Sequence, residues 1–211
     1  MAETAGDDPE RALALSYAPA DRRAALTALF ALDDRLRRIT LAARDPTIGL
    51  MRLTWWADAL ERLDQAPPPA EPVLTGLAAS VLPHGVTGTA LAGMVDGWER
   101  LLEPDTLDLA AFAAERGGRL FVMAGRVLGQ DDDRLATIGE GWALAKLARD
   151  RPDARRLAGE RLAGGFRRPW PRALRPLGAL ALLARFEVEG RTAPGSPRRV
   201  ARLLAHRLTG R

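Results

Sequence analysis

Cysteine is absent from the 211-residue chain, and with it go disulfides, zinc fingers and thiol nucleophiles. Asparagine is missing too, and the only two histidines, His84 and His206, stand far apart, so a histidine-based metal site or catalytic triad lacks its residues. No GxGxxG turn follows a strand and no GxxxxGK[ST] loop occurs, which leaves nicotinamide and flavin cofactors without a cradle. Isoleucine is scarce and β-branched alternation nearly absent, so strands have little to be built from and an all-α protein is expected. No apolar run approaches the roughly 18 residues of a membrane span. The first residues, MAETAGDDPERALAL, are acidic where a signal peptide would be basic. A cytoplasmic protein is expected, with a disordered acidic leader over 1–10 and one helical domain over 11–211.

Arginine is what the chain has in excess: 30 of the 31 basic residues, the exception being Lys146. The net charge of +4 hides an asymmetry, because residues 161–211 hold 12 arginines against Glu187 and Glu189, while residues 1–160 carry 19 bases against 25 acids. Such a basic end suits phosphates, an anionic membrane or an acidic partner.

Apolar spacing and capping signals predict helices over 10–17, 22–41, 47–64, 73–82, 87–101, 107–128, 134–149, 177–186 and 197–208. Asp21 and the acids Asp131–Asp133 are expected to cap helices, Asp45-Pro46 to open one, and Pro152 to end one. Gly85, Pro104 and Gly129 punctuate the middle of the chain, and Gly117-Gly118 marks a kink or a close helix crossing. In the second helix Leu29, Leu32, Leu36 and Ile39 form a buried face, and Asp33 and Asp34 each find an arginine four residues on, Arg37 and Arg38. In the third, Ile48, Met51, Trp55, Leu60 and Leu63 read as one apolar stripe. Trp55 and Trp56 point about 100° apart, so they cannot both face one core, and one of them is expected to line a groove. The last helix is short, basic and amphipathic, with His206 facing solvent and residues 197–211 a candidate for peripheral contact with an anionic membrane. The turn glycine and second helix of a helix-turn-helix are missing, and Trp55, Trp56, Trp98 and Trp142 read as core or groove lining; nucleic acid is not an expected partner.

Taken in order, the segments YAPADRRAALTALFAL, TIGLMRLTWWADAL, MVDGWERLL, AFAAERGGRLF, RVLG, GEGWALAKLARDRPDARR and LRPLGALALLAR resemble the squalene/phytoene synthase family of all-α isoprenoid synthases. The resemblance implies a helical bundle, shortened relative to active members by a helix or more between Arg156 and Arg172. Active members join two prenyl diphosphates head to head with magnesium held between two aspartate-rich motifs. Aligning ALFAL with the family's ALYAF puts the first motif, DDxxD, on Arg37-Arg38-Ile39-Thr40-Leu41: two ligands are cations and the third is a leucine. In the second motif Asp150 matches, the glutamine and asparagine positions are Ala143 and Lys146, and Asp153 arrives one residue early.

Two unit charges about 4 Å apart interact at ~4 kcal/mol in an effective dielectric near 20, and exchanging carboxylate for guanidinium reverses the sign for a bound cation. Neither a metal ion nor another cofactor is therefore expected. Two readings stand. A divergent branch of the family, which includes a mitochondrial factor needed to assemble respiratory complex I, also lacks the aspartates and is similar at TIGLMRLTWW; it implies a non-catalytic assembly or interaction factor with a protein partner, such as a respiratory complex subunit. The alternative is a working head-to-head prenyltransferase, with Asp150 and Asp153 on magnesium, Arg37, Arg38 and Lys146 on the prenyl diphosphate, and Trp55, Trp56 and Trp142 lining the groove. A filled interior between the helices bearing Arg37 and Asp150 favours the first.

Overall fold

Proline opens helices in this protein more often than it closes them. It occupies one of the first two positions of α1 (Pro9–Leu15), α3 (Pro46–Arg62), α4 (Pro72–Ser80), α9 (Pro152–Leu162), α10 (Arg175–Glu189) and α11 (Pro197–Thr209). There its missing N–H has no helical partner to lose and its fixed φ is already helical. The remaining helices are α2 (Ala20–Ala42), α5 (Gly88–Glu99), α6 (Leu109–Ala113), α7 (Arg119–Val127) and α8 (Leu135–Ala145). The computed structural model describes residues 8–211 apart from 104 and 106, and among them the regular structure is entirely helical. Most of the expected leader, positions 1–7, and the punctuating position 104 lie outside the described residues.

Two boundaries depart from expectation. Pro152 starts α9 instead of ending the previous helix, which stops earlier, at Ala145. α9 packs closely on α8, where a Cβ at Gly141 would come within 2.7 Å of Leu162, and Arg161 pairs with Glu140 at 2.9 Å. The stretch after Arg156 is thus helical as far as Leu162. Asp21 lies inside the first turn of α2, whose N-cap is Pro19, and it pairs with Arg22. Asp132 stands at the start of α8, where its Oδ1 accepts from the Arg134 backbone N–H at 3.0 Å and its carboxylate also accepts from the Arg134 and Arg168 guanidinium groups, while Arg134 stacks 4.5 Å from Trp170 and donates to the carbonyls of Gly165 and Arg168. Hydrogen bonding to Arg134 outweighs burial and holds the Asp132 carboxyl well below the usual range. Asp45 does cap α3, accepting from the Thr47 N–H at 2.7 Å.

One contiguous apolar core runs from Ala14 in α1 to Leu203 in α11. One close crossing brings the turn before α7 against α8. An added Cβ at Gly117 would lie 2.0 Å from the Gly139 carbonyl oxygen, and one at Gly139 would lie 2.1 Å from that of Gly117, so only glycine lets these backbones meet. Gly117 and its neighbour Gly118 sit in a π-helical turn, Ala114–Gly118, between α6 and α7, so that pair marks both a kink and a crossing. α10 carries the run LGALALLA and is buried almost all round, as an apolar helix must be. The ends of the chain meet: Glu10 of α1, far from disordered, accepts from buried Arg199 of α11 at 3.0 Å and from the Gly195 N–H at 2.9 Å. His206, expected in solvent, is fully buried, its Nε2 hydrogen-bonded to the Arg175 carbonyl at 3.2 Å. Among the described residues no helix is long and apolar enough to cross a membrane.

Candidate functional site

The helix face of α2 places its two acids differently from the local i,i+4 rule. Leu29, Leu32 and Leu36 are buried, and Asp33, on the same side, is carried inward with only 1% of its surface exposed. Arg37 cannot follow it there; the partner comes from the π turn. Arg116, 3% exposed, donates from Nε to Asp33 Oδ1 at 2.8 Å and from Nη2 to Oδ2 at 2.9 Å, a bidentate pair. The Trp98 indole N–H adds a third donor to Oδ1 at 3.2 Å. The Arg116 guanidinium lies 4.1 Å from the Trp98 ring and 5.0 Å from Trp142. Asp34 is claimed by Arg11 of α1, again bidentately, at 2.8 and 2.7 Å. Arg38 is exposed and bonds the Asp34 backbone carbonyl, and Arg37 is half-buried without an ion pair to a described carboxylate.

Between α2 and α8 side chains from several segments pack together. Trp142, expected in a groove, packs in the core edge-on to Phe30 at 5.8 Å and against Phe121 at 5.6 Å. Lys146 is turned outward and pairs with Glu187 of α10 at 2.9 Å. Asp150 and Asp153 are exposed, the latter at the start of α9 with Oδ1 accepting from the Ala154 N–H. The donor set does not fit a magnesium ion: the first-motif positions are guanidinium groups and a leucine. Among the described residues no three acids or histidines come together in a metal-binding cluster.

One cleft opens at the surface beside these helices. A cleft of about 180 Å³ is lined by Arg35, Ile39, Arg52, Trp55 and Trp56. As the 100° offset requires, Trp56 is 5% exposed and Trp55 50%, the two rings meeting edge-on at 5.5 Å. Arg35 lies 5.7 Å from the Trp56 ring and pairs with Glu71, the N-cap of α4. The expected α3 stripe is split. Leu60 and Leu63 point inward, but the buried face continues through Gly49, Leu53 and Trp56, while Ile48 and Met51 are 49% and 69% exposed. Ile48, Met51 and Trp55 therefore form an outward apolar ridge at three- and four-residue spacing. Helical period alone could not show which of two apolar faces turns inward; Gly49, where a Cβ would press within 2.9 Å of Leu102, was the available signal.

The family model for squalene/phytoene synthase matches residues 4–162. Curated relatives carry the name NADH dehydrogenase (ubiquinone) complex I, assembly factor 6. The mouse protein is 29% identical over 142 residues, 64% of this chain and 43% of the relative, and the rat and human proteins are 28% identical over the same shares. The chain thus spans less than half the length of the curated relatives it matches. No solved structure matches it significantly.

Proposed function

The chain belongs to the squalene/phytoene synthase family, and from that premise we propose that it is a non-catalytic member, an assembly or interaction factor for a respiratory NADH dehydrogenase complex. The observation that carries this reading is the pair Arg37-Arg38 at the positions where a synthase needs acids. A divalent ion bound there would meet two repelling charges in place of two ligands. The packed interior supports it, because a prenyl chain needs room that Phe30, Trp142 and the Arg116–Asp33 pair occupy. The names of the mouse, rat and human relatives supply the class of partner.

The ridge of Ile48, Met51 and Trp55 is the face we assign to that partner. Exposed apolar side chains grouped on one helix, with an aromatic anchor beside Arg35 and Arg52, have the make-up of an interface centre. The complementary segment would be apolar with an acidic flank. Two experiments test the proposal. Incubation of the purified protein with magnesium and a C15 or C20 prenyl diphosphate is expected to release no pyrophosphate; release that Asp150→Ala abolishes would falsify the non-catalytic reading. In the source cells, Met51→Glu with Trp55→Glu is expected to lower the yield of assembled NADH dehydrogenase on native gels while the protein itself accumulates normally. Unchanged assembly would remove the ridge from the argument.

A further inference from the structure

A second cleft, of about 460 Å³, is lined by Tyr17, Arg172, Arg175, Arg207 and Leu208. Except for Tyr17 its walls lie beyond the span of the family match. Its size falls within the roughly 300–1,000 Å³ of small-molecule sites. The lining holds three guanidinium groups and no carboxylate. Arg207 lies 5.2 Å from the Tyr17 ring, and Arg175 Nη1 donates to the Arg207 carbonyl at 2.6 Å. Two donors remain unused: the Tyr17 hydroxyl and Arg175 Nε are buried and have no hydrogen-bond partner. Burial pushes the Tyr17 phenol up, against the opposing charge of Arg207, so it stays a proton donor at neutral pH. Arg175 also begins α10, a 15-residue helix whose N-terminus has no side-chain cap and attracts negative charge. An acceptor carrying several oxygens and a negative charge is the chemical complement of this lining.

Beside the cleft, α11 turns hydrophobic side chains outward, Leu204 at 45% and Leu208 at 78% exposure. Residues 190–211 include six arginines and no acid. We propose that this cleft receives the phosphate of an anionic phospholipid headgroup, with Leu204 and Leu208 entering the acyl boundary next to it. Leucine at the rim distinguishes a lipid from a free phosphate, which would gain nothing from it.

Flotation of the full chain with phosphatidylcholine vesicles, with and without phosphatidylglycerol, tests this. Binding is expected only with phosphatidylglycerol. The pair Arg172→Gln with Arg207→Gln should lower it about thirtyfold, at about fivefold for each arginine charge at an anionic surface. Arg198→Gln with Arg202→Gln removes the same charge from α11 outside the cleft and should lower it clearly less. Tyr17→Phe deletes a hydroxyl that bonds nothing in the free protein, so it should weaken binding several-fold at an unchanged thermal midpoint. Equal losses in the two arginine pairs would reduce the site to diffuse charge attraction. Absence of vesicle binding, or binding of inorganic phosphate alone, would overturn the lipid assignment.

Discussion

Arg116 and the arginines of the second cleft show two fates of the same side chain. Arg116 is 3% exposed and fully matched, by a bidentate carboxylate and two indole faces. Arg172, Arg175 and Arg207 share an open cleft with no acid in its lining. Burying an unpaired charge costs several kcal/mol, so the interior must supply a counter-ion from within the chain. A cleft facing water carries no such obligation, and its cations stay available to an outside anion. The comparison separates what holds the bundle together from what it offers to others, and it places Asp33, four residues before Arg37, on the structural side.

The largest effect should come from breaking the matched pair. Asp33→Ala leaves Arg116 buried and unpaired, and a loss of about 3–5 kcal/mol in urea unfolding is expected. Asp33→Leu combined with Arg116→Met should recover most of it, since a buried ion pair and an apolar replacement are often close in energy. Failure of the double variant to recover would mean that the pair specifies the fold beyond its charge balance. Next comes the crossing of the π turn with α8. Gly139→Ala forces a Cβ against the Gly117 carbonyl and should cost about 1–3 kcal/mol by the same measurement. Gly164→Ala, with nothing within 4 Å of the new methyl, should stay within about 0.5 kcal/mol.

A smaller effect is expected at His206, which bonds the carbonyl of Arg175 in the second cleft. Burial, helped by the charges of Arg175 and Arg202, pushes its imidazole below the ordinary value of 6.5, against backbone hydrogen bonds that raise it. The unfolded chain therefore takes up the proton at a higher pH than the folded one. Stability is complete above about pH 6.5 and is lost as the pH falls from there toward the lower folded value. Thermal midpoints measured across that window should show the decline in the wild type and not in His206→Gln. The smallest effect on stability is expected at the outward ridge: Trp55→Ala should shift the unfolding free energy by no more than about 0.5 kcal/mol while weakening partner capture.

Local chemistry made much of this legible. The order of the helices, the Asp45 cap, the glycine pair at the kink and the divergence of Trp55 from Trp56 all follow from neighbours a few residues apart. Expectations failed where a second surface was involved. Asp33 and Asp34 had suitable arginines one turn away, yet both pair with other segments, because only Arg116 can follow Asp33 into the core and Arg11 reaches Asp34 from α1. Helical spacing makes the α3 stripe read as one face, although its apolar residues lie on two. Pro152 reads as an end because proline near an apolar break fits either boundary, and what fixes α9 is its contact with α8.

The sequence by itself determined an all-α chain of this family and placed cations where a synthase needs carboxylates, since helix signals and motif positions are properties of short stretches. Tertiary structure alone decided which of thirty chemically identical arginines became part of the core and which stayed open to an anion. The physical reason is desolvation: its cost is set by what packs around a charge, and those neighbours come from segments far apart along the chain.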